Sequence, residues 1–151
     1  MNAYRIALTP FCDASGEGAI LFGGRWNSPG IPTVYASYSL SACLLERLTV
    51  DPELLSAERF LRYSVMEFEL PDNLIFKPHH EELPMGWDHI PALKASIEYG
   101  SNLLKSGILG FMVPSVVDPS SMNFVINPNS QDFNFIQYKI YPLQLDKRII
   151  R

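Results

Sequence analysis

Along the chain the apolar positions change period more than once, and each change marks an element. "AYRIAL" (3–8) and "TVYAS" (33–37) are short runs of strand type. From Ser39 the spacing lengthens: Leu40, Leu44 and Leu48 fall four apart. That period predicts a helix through "SLSACLLERL", with Ser37 or Ser39 as N-cap and the Asp51-Pro52 step as its end. "RYSVMEFEL" (62–70) alternates, with Met66, Phe68 and Leu70 on one face and Val65, Glu67 and Glu69 on the other, which predicts a half-buried strand. Leu93, Ile97 and Leu104 approach helical spacing again, predicting a second helix that stops at Gly107. Beyond it, "GILGFMVPS", "MNFVIN", "NFIQYKIYP" and "LQLD" are short apolar or alternating runs parted by Pro, Asn and Ser, so the C-terminal part reads as β-rich.

Two stretches lack a period. "ASGEGAILFGGRWNSPGIP" (14–32) is glycine-rich and reads as loop. "PDNLIFKPHHEELPMGWDHI" (71–90) is the least regular, and the sequence leaves open whether it closes over a cleft or packs beside one. No internal repeat or linker-like tract divides the chain. The pattern therefore predicts one mixed α+β domain over residues 1–151.

Composition narrows the function classes. The 151 residues suit one domain, and 47% hydrophobic with 19% charged residues is a globular balance. No apolar run reaches the ~18 residues of a membrane span. The N-terminus has no basic region, and Thr9, Pro10 and Asp13 break its apolar run, so a secretory leader is not expected and the cytoplasm is. Cys12 and Cys43 have no C-x-x-C spacing and read as neutral thiols in a reducing compartment. A net charge of −4 opposes a phosphate-backbone footprint, so direct binding of nucleic acid is not expected. One or two local arginines still suffice for a small anion such as a pyrophosphate.

"GGRWNSPG" (23–30) presents an arginine of that kind. Glycines before Arg25 let the backbone approach a ligand, Trp26 offers a flat surface, and Asn27 offers polar recognition. Glu46 sits in an otherwise apolar helix on the side of Ala42, Cys43 and Val50; it reads as a boundary residue paired with Arg47 or solvent, or as a strong electrostatic group if it faces a cleft. Tyr35 reads as a core or edge aromatic. Ser115 reads as a turn or capping serine, without the G-x-S-x-G elbow of a hydrolase nucleophile. His79, His80 and His89, with Glu81 and Glu82, match no metal-ligand spacing, so no metal is expected. The glycines fit neither the Walker loop nor G-x-G-x-x-G. "EFE" (67–69) resembles the paired-glutamate motif of arginine-directed ADP-ribosyltransferases, but its alternation reads as a solvent-facing pair.

Taken in order, "YRI" (4–6), "GGRWNSPGIPTVYAS" (23–37), the helix ending "LLERL", "VPSVV" (113–117), "NFVINP" (123–128) and "LQLDKRII" resemble the RES-domain family. Its members act as toxins of bacterial toxin–antitoxin pairs. The resemblance implies a fold akin to ADP-ribosyltransferases, with central β-sheets and flanking helices, and places the family's arginine, tyrosine, glutamate and serine on Arg25, Tyr35, Glu46 and Ser115, with Asn127 as a weaker addition. It implies cleavage of the nicotinamide–ribose bond of NAD+, by hydrolysis or phosphorolysis, and growth arrest through NAD+ depletion. NAD+ is then the substrate and inorganic phosphate a candidate co-substrate, with no further cofactor. Within that implied chemistry, Arg25 clamps the pyrophosphate and Glu46 stabilises the oxocarbenium-like ribose. Tyr35 stacks on the nicotinamide, and Ser115 bonds the nicotinamide amide or a ribose hydroxyl.

The implied partner is an Xre-type helix-turn-helix antitoxin, in a hetero-oligomer that admits a homodimer of this chain. Many relatives carry histidines four residues after the glutamate and after "NP", where this chain has Val50 and "NPNSQDF", so any role of those histidines is absent. Two alternatives stand beside this: transfer of ADP-ribose to a protein, and an inactive module that binds NAD+ or antitoxin.

Overall fold

In the computed structural model, which describes residues 1–151, a single seven-stranded sheet forms the body of the domain. Its strands are β1 (Asn2–Leu8), β2 (Val34–Ser37), β3 (Tyr63–Glu69), β4 (Ile75–Phe76), β5 (Gly110–Pro114), β6 (Met122–Ile126) and β7 (Gln137–Pro142), in the order β4-β5-β6-β2-β1-β3-β7. Only the β4–β5 pairing is parallel. The α-helices are α1 (Glu17–Phe22), α2 (Leu40–Leu48) and α3 (Lys94–Lys105). No helix is long and apolar enough to cross a membrane.

Strand alternation sorts the side chains onto two faces. One face carries Ala3, Ala7, Met66, Phe68, Phe124 and Ile126 in the main core. The opposite face holds two separate clusters. At one, Ile6, Tyr63 and Val65 pack with Cys43 of α2 and with Leu54; at the other, Phe111, Val113 and Val125 pack with Trp26, Leu83 and Leu104 of α3. Between them the register pairs Ser37 with Asn123, flanked by Tyr4 on one side and Val113 on the other, so a polar pair separates two apolar patches.

The second predicted helix forms, but its buried face is Ser96, Gly100, Ser101 and Leu104, whereas Leu93 is exposed. Small residues are required there: a Cβ on Gly100 would lie 2.0 Å from the Trp26 carbonyl oxygen. Ser39 is the cap of α2, accepting from the Ala42 N–H at 3.1 Å, while Ser37 belongs to β2.

Four expectations need correction. β3 is not half-buried at its start, because α2 and Leu54 cover the face that carries Tyr63 and Val65. Residues 14–32 contain α1, which buries only Ala19 and so shows no apolar stripe. "LQLD" forms no strand; Leu143 instead plugs the α2 cluster. The start of "NFIQYKIYP" is a 3-10 turn, Gln131–Phe135, before β7 begins.

Candidate functional site

The loop that carries Arg25 is a tight turn closed by two hydrogen bonds, Gly24 N–H to the Asn27 carbonyl at 3.0 Å and the reciprocal bond at 3.4 Å. Asn27 organises it from within. Its Nδ2 donates to the carbonyls of Ala19, Ser28 and Ile31, and its Oδ1 accepts the Tyr35 hydroxyl at 2.6 Å. The same hydroxyl accepts the Trp26 N–H at 3.2 Å. Any side chain at Gly24 would collide with it, since a Cβ there lies 2.6 Å from the Tyr35 oxygen. Burial raises the Tyr35 pKa, only partly offset by the Trp26 N–H and Arg25, so the phenol stays protonated and holds the loop.

Two residues of this loop turn inward. Trp26 stacks on Trp87 at 6.3 Å between centroids and meets Tyr99 and Phe111 edge-on, and Asn27 is fully buried. They anchor the loop and offer a ligand neither a platform nor a polar edge. Residues 71–90 pack against the loop through Leu83 and Trp87. Arg25 ties this segment down, with Nη1 donating to the carbonyls of Trp87 at 2.8 Å and His89 at 2.7 Å. Both bonds use Nη1, which leaves the fork of Nε–H and Nη2 free and fixed in orientation for an anion.

Two residues along β2 from Tyr35, about 7 Å on the same face, lies Ser37. Across from it stands Asn123, and over this pair α2 brings Glu46. Glu46 Oε1 accepts two hydrogen bonds, from Ser115 Oγ at 2.6 Å and from Asn123 Nδ2 at 2.7 Å. Ser115 heads the turn between β5 and β6. Its hydroxyl proton goes to Glu46 while its oxygen accepts the Asp118 N–H at 3.0 Å. Glu46 is half-buried, and its Oε2 has no protein partner.

The structure thus brings Arg25, Tyr35, Glu46 and Ser115 to one face. Asn127 lies apart from them at the far end of β6, 3% exposed. Its Nδ2 donates to the carbonyls of Leu104 and Ile108, and its Oδ1 accepts the Asn129 N–H, so its amide secures the C-terminal end of α3. Ser37 and Asn123 were missed by sequence reasoning. No local signal marks them, because a polar residue on an alternating strand reads as solvent-facing until α2 is packed over it.

The remaining candidates stand elsewhere. Glu67 is not freely solvated: Asn2 and the Tyr141 hydroxyl donate to it and Lys139 pairs with it. The Glu82 carboxylate accepts the His79 backbone N–H at 2.8 Å, and His80 meets the edge of Trp87. Cys43 is buried under α2, where desolvation, with Glu46 adding to it, pushes its thiol up to about 11.

The RES domain model matches residues 2–146. A Prs ADP-ribosylating toxin of Sphingobium sp. is 37% identical over 92% of this chain and 88% of its own length. Toxin Res of Photorhabdus laumondii is 32% identical over 89% of this chain and 86% of its own, and Toxin Res of Pseudomonas putida is 30% identical over 94% and 96%. A chain in the crystal structure of the M. tuberculosis MbcT–MbcA toxin–antitoxin complex shares the fold, with a TM-score of 0.74 over 95% of this chain and 84% of that one at 22% identity. With its α+β fold, its length and its relatives all in agreement, the chain belongs to the RES-domain family of toxins.

Proposed function

We propose that this face cleaves the nicotinamide–ribose bond of NAD+ and arrests growth by depleting it. The observation that carries the reading is the half-buried Glu46, one carboxylate oxygen held by two donors and the other open, on the face that also presents the free fork of Arg25. In NAD+ the leaving group is a pyridinium. When the ribose C1–N bond breaks, the electron pair stays on that nitrogen and nicotinamide departs neutral, so no acid catalyst is needed. Positive charge then grows on the ribose carbon and its ring oxygen. Glu46 Oε2 opposes that charge and accepts from ribose hydroxyls, while Arg25 holds the pyrophosphate in place.

An acceptor oxygen closes the reaction by bonding the ribose carbon and releasing its proton to solvent. Water gives ADP-ribose, and phosphate gives its 1″-phosphate. Tyr35 acts chiefly by holding the arginine loop, leaving its ring beside the nicotinamide position. Ser115 acts through Glu46. The Sphingobium relative, named as ADP-ribosylating, favours a second reading in which a protein side chain is the acceptor. In the cell, a helix-turn-helix antitoxin covering the Arg25 face would silence either activity.

Expression of the chain in a bacterial host, with NAD+ and its products followed by mass spectrometry, tests these readings. A falling NAD+ pool with free ADP-ribose or its phosphate supports degradation. ADP-ribose appearing on a protein while the pool holds supports the second reading.

A further inference from the structure

We infer that Ser37 and Asn123 form a positioning relay that sets the orientation of the Glu46 carboxylate, an inference that rests on Glu46 being the group that faces the ribose. Neither residue belongs to the four positions implied by the family resemblance. The register of β2 on β6 places Ser37 directly opposite Asn123. The Ser37 hydroxyl, 3% exposed, donates to Asn123 Oδ1 at 2.9 Å, and Asn123 Nδ2 donates onward to Glu46 Oε1 at 2.7 Å.

The chemistry of the three groups fixes the direction of the chain. An ionised carboxylate only accepts, so the amide must turn its NH2 toward Glu46. The flipped amide would set Oδ1 against Oε1, oxygen to oxygen. With the NH2 turned to Glu46, Oδ1 faces Ser37, whose hydroxyl donates to it and holds the amide in place.

Ser115 donates to the same Oε1 from the turn after β5, so two donors from different strands hold one oxygen. A carboxylate gripped at Oε1 cannot rotate to exchange its oxygens, and Oε2 keeps all its acceptor capacity for the ribose. Asn123 bonds Glu46 and Ser37 bonds Asn123, so each acts through Glu46 and is a positioning residue. Ser37 makes the sharper probe, because it bonds Asn123 and does not itself bond Glu46.

The test is a double-mutant cycle of Ser37→Ala and Asn123→Ala on the intact chain, read as kcat and KM for NAD+, with Ser37→Thr as the conservative rescue. Asn123→Ala should lower kcat about 30-fold and Ser37→Ala about fivefold, the scales of one charge-assisted and one neutral hydrogen bond, with KM changed less than about threefold. Ser37→Ala should cost nothing further in the Asn123→Ala background, and Ser37→Thr should retain the wild-type kcat. Additive losses, or Ser37→Ala at wild-type kcat, would overturn the relay.

The Asn123 side-chain amide provides a readout that needs no turnover. In 1H–15N spectra its bonded proton should lie downfield, move toward the free-amide position in Ser37→Ala, and move part of the way there in Glu46→Gln, whose neutral oxygen is a weaker acceptor. If wild type degrades no NAD+, the degradation reading fails by itself. The amide shift then decides the relay: movement in both variants upholds it, and a resonance unmoved by either overturns it.

Discussion

Replacing Glu46 by glutamine removes one negative charge and leaves the shape of the side chain in place. Its amide oxygen still accepts from Ser115 and Asn123, where Oε1 now accepts at 2.6 and 2.7 Å. The position of Oε2, however, becomes an NH2, a donor where the proposed ribose contact needs an acceptor, and the charge proposed to oppose the oxocarbenium is gone. Losing one such preorganised group costs about 3 kcal/mol of transition-state stabilisation, or roughly two orders of magnitude in turnover. The fold should barely respond, with a melting temperature within about 4 °C of wild type, the shift expected from about 1 kcal/mol in a domain of this size. Glu46→Ala differs, because it leaves the buried Ser115 hydroxyl and the Asn123 amide without an acceptor. At about 1–3 kcal/mol per orphaned group, that variant should melt at least about 5 °C lower. Initial rates of nicotinamide release and thermal melts on the same preparations measure both effects. A glutamine variant at the wild-type rate would refute the electrostatic role of Glu46, and an alanine variant with an unchanged melt would refute the hydrogen-bond account of its setting.

Arg25→Ala should raise KM for NAD+ about tenfold or more, as expected for losing a charge-assisted contact, and should speed hydrogen exchange across residues 84–91, whose Trp87 and His89 carbonyls it holds; unchanged exchange would contradict the tether. Gly100→Ala should destabilise the protein by about 3 kcal/mol or more in urea titration, because the new Cβ meets the backbone of Trp26 at 2.0 Å and α3 must shift. Asp51, bonded to the Tyr63 hydroxyl and paired with Arg59 at 2.7 Å, has its pKa held below the usual carboxylate value, first by that phenol and then by the guanidinium. Its folded form therefore binds a proton less readily than its unfolded form. The stability it contributes is complete above about pH 4 and is lost as pH falls through the folded pKa. Asp51→Asn should accordingly melt lower than wild type at neutral pH, with the gap narrowing in acid; parallel melting curves between pH 6 and 2 would contradict this.

The parts of the fold that could be read from sequence are those with a long enough period. Three leucines four apart announced α2, and alternation announced β3, but α1 buries one alanine and β4 has two residues, too little for either to show a pattern. The face of α3 was misread because it buries Ser96, Gly100 and Ser101, small residues chosen for close approach rather than for apolar area.

At the site, Arg25, Tyr35, Glu46 and Ser115 came from family resemblance, and the structure gathers them onto one face. Trp26 and Asn27 look in sequence like ligand groups next to an arginine, yet both turn inward to hold the loop. Asn123 was hidden for a different reason. In "MNFVIN" it occupies what looks like the solvent side of an alternating strand, and only the packing of α2, 77 residues earlier in the chain, makes that side the floor of the site.

NAD+ cleavage by this fold is best decided with the purified chain, freed of any antitoxin and shown to be folded. NAD+ consumed and nicotinamide released are counted together by mass spectrometry, with and without phosphate. One nicotinamide should appear for each NAD+ lost, with ADP-ribose or its 1″-phosphate as the other product. An NAD+ concentration that stays constant under both conditions would contradict NAD+ cleavage.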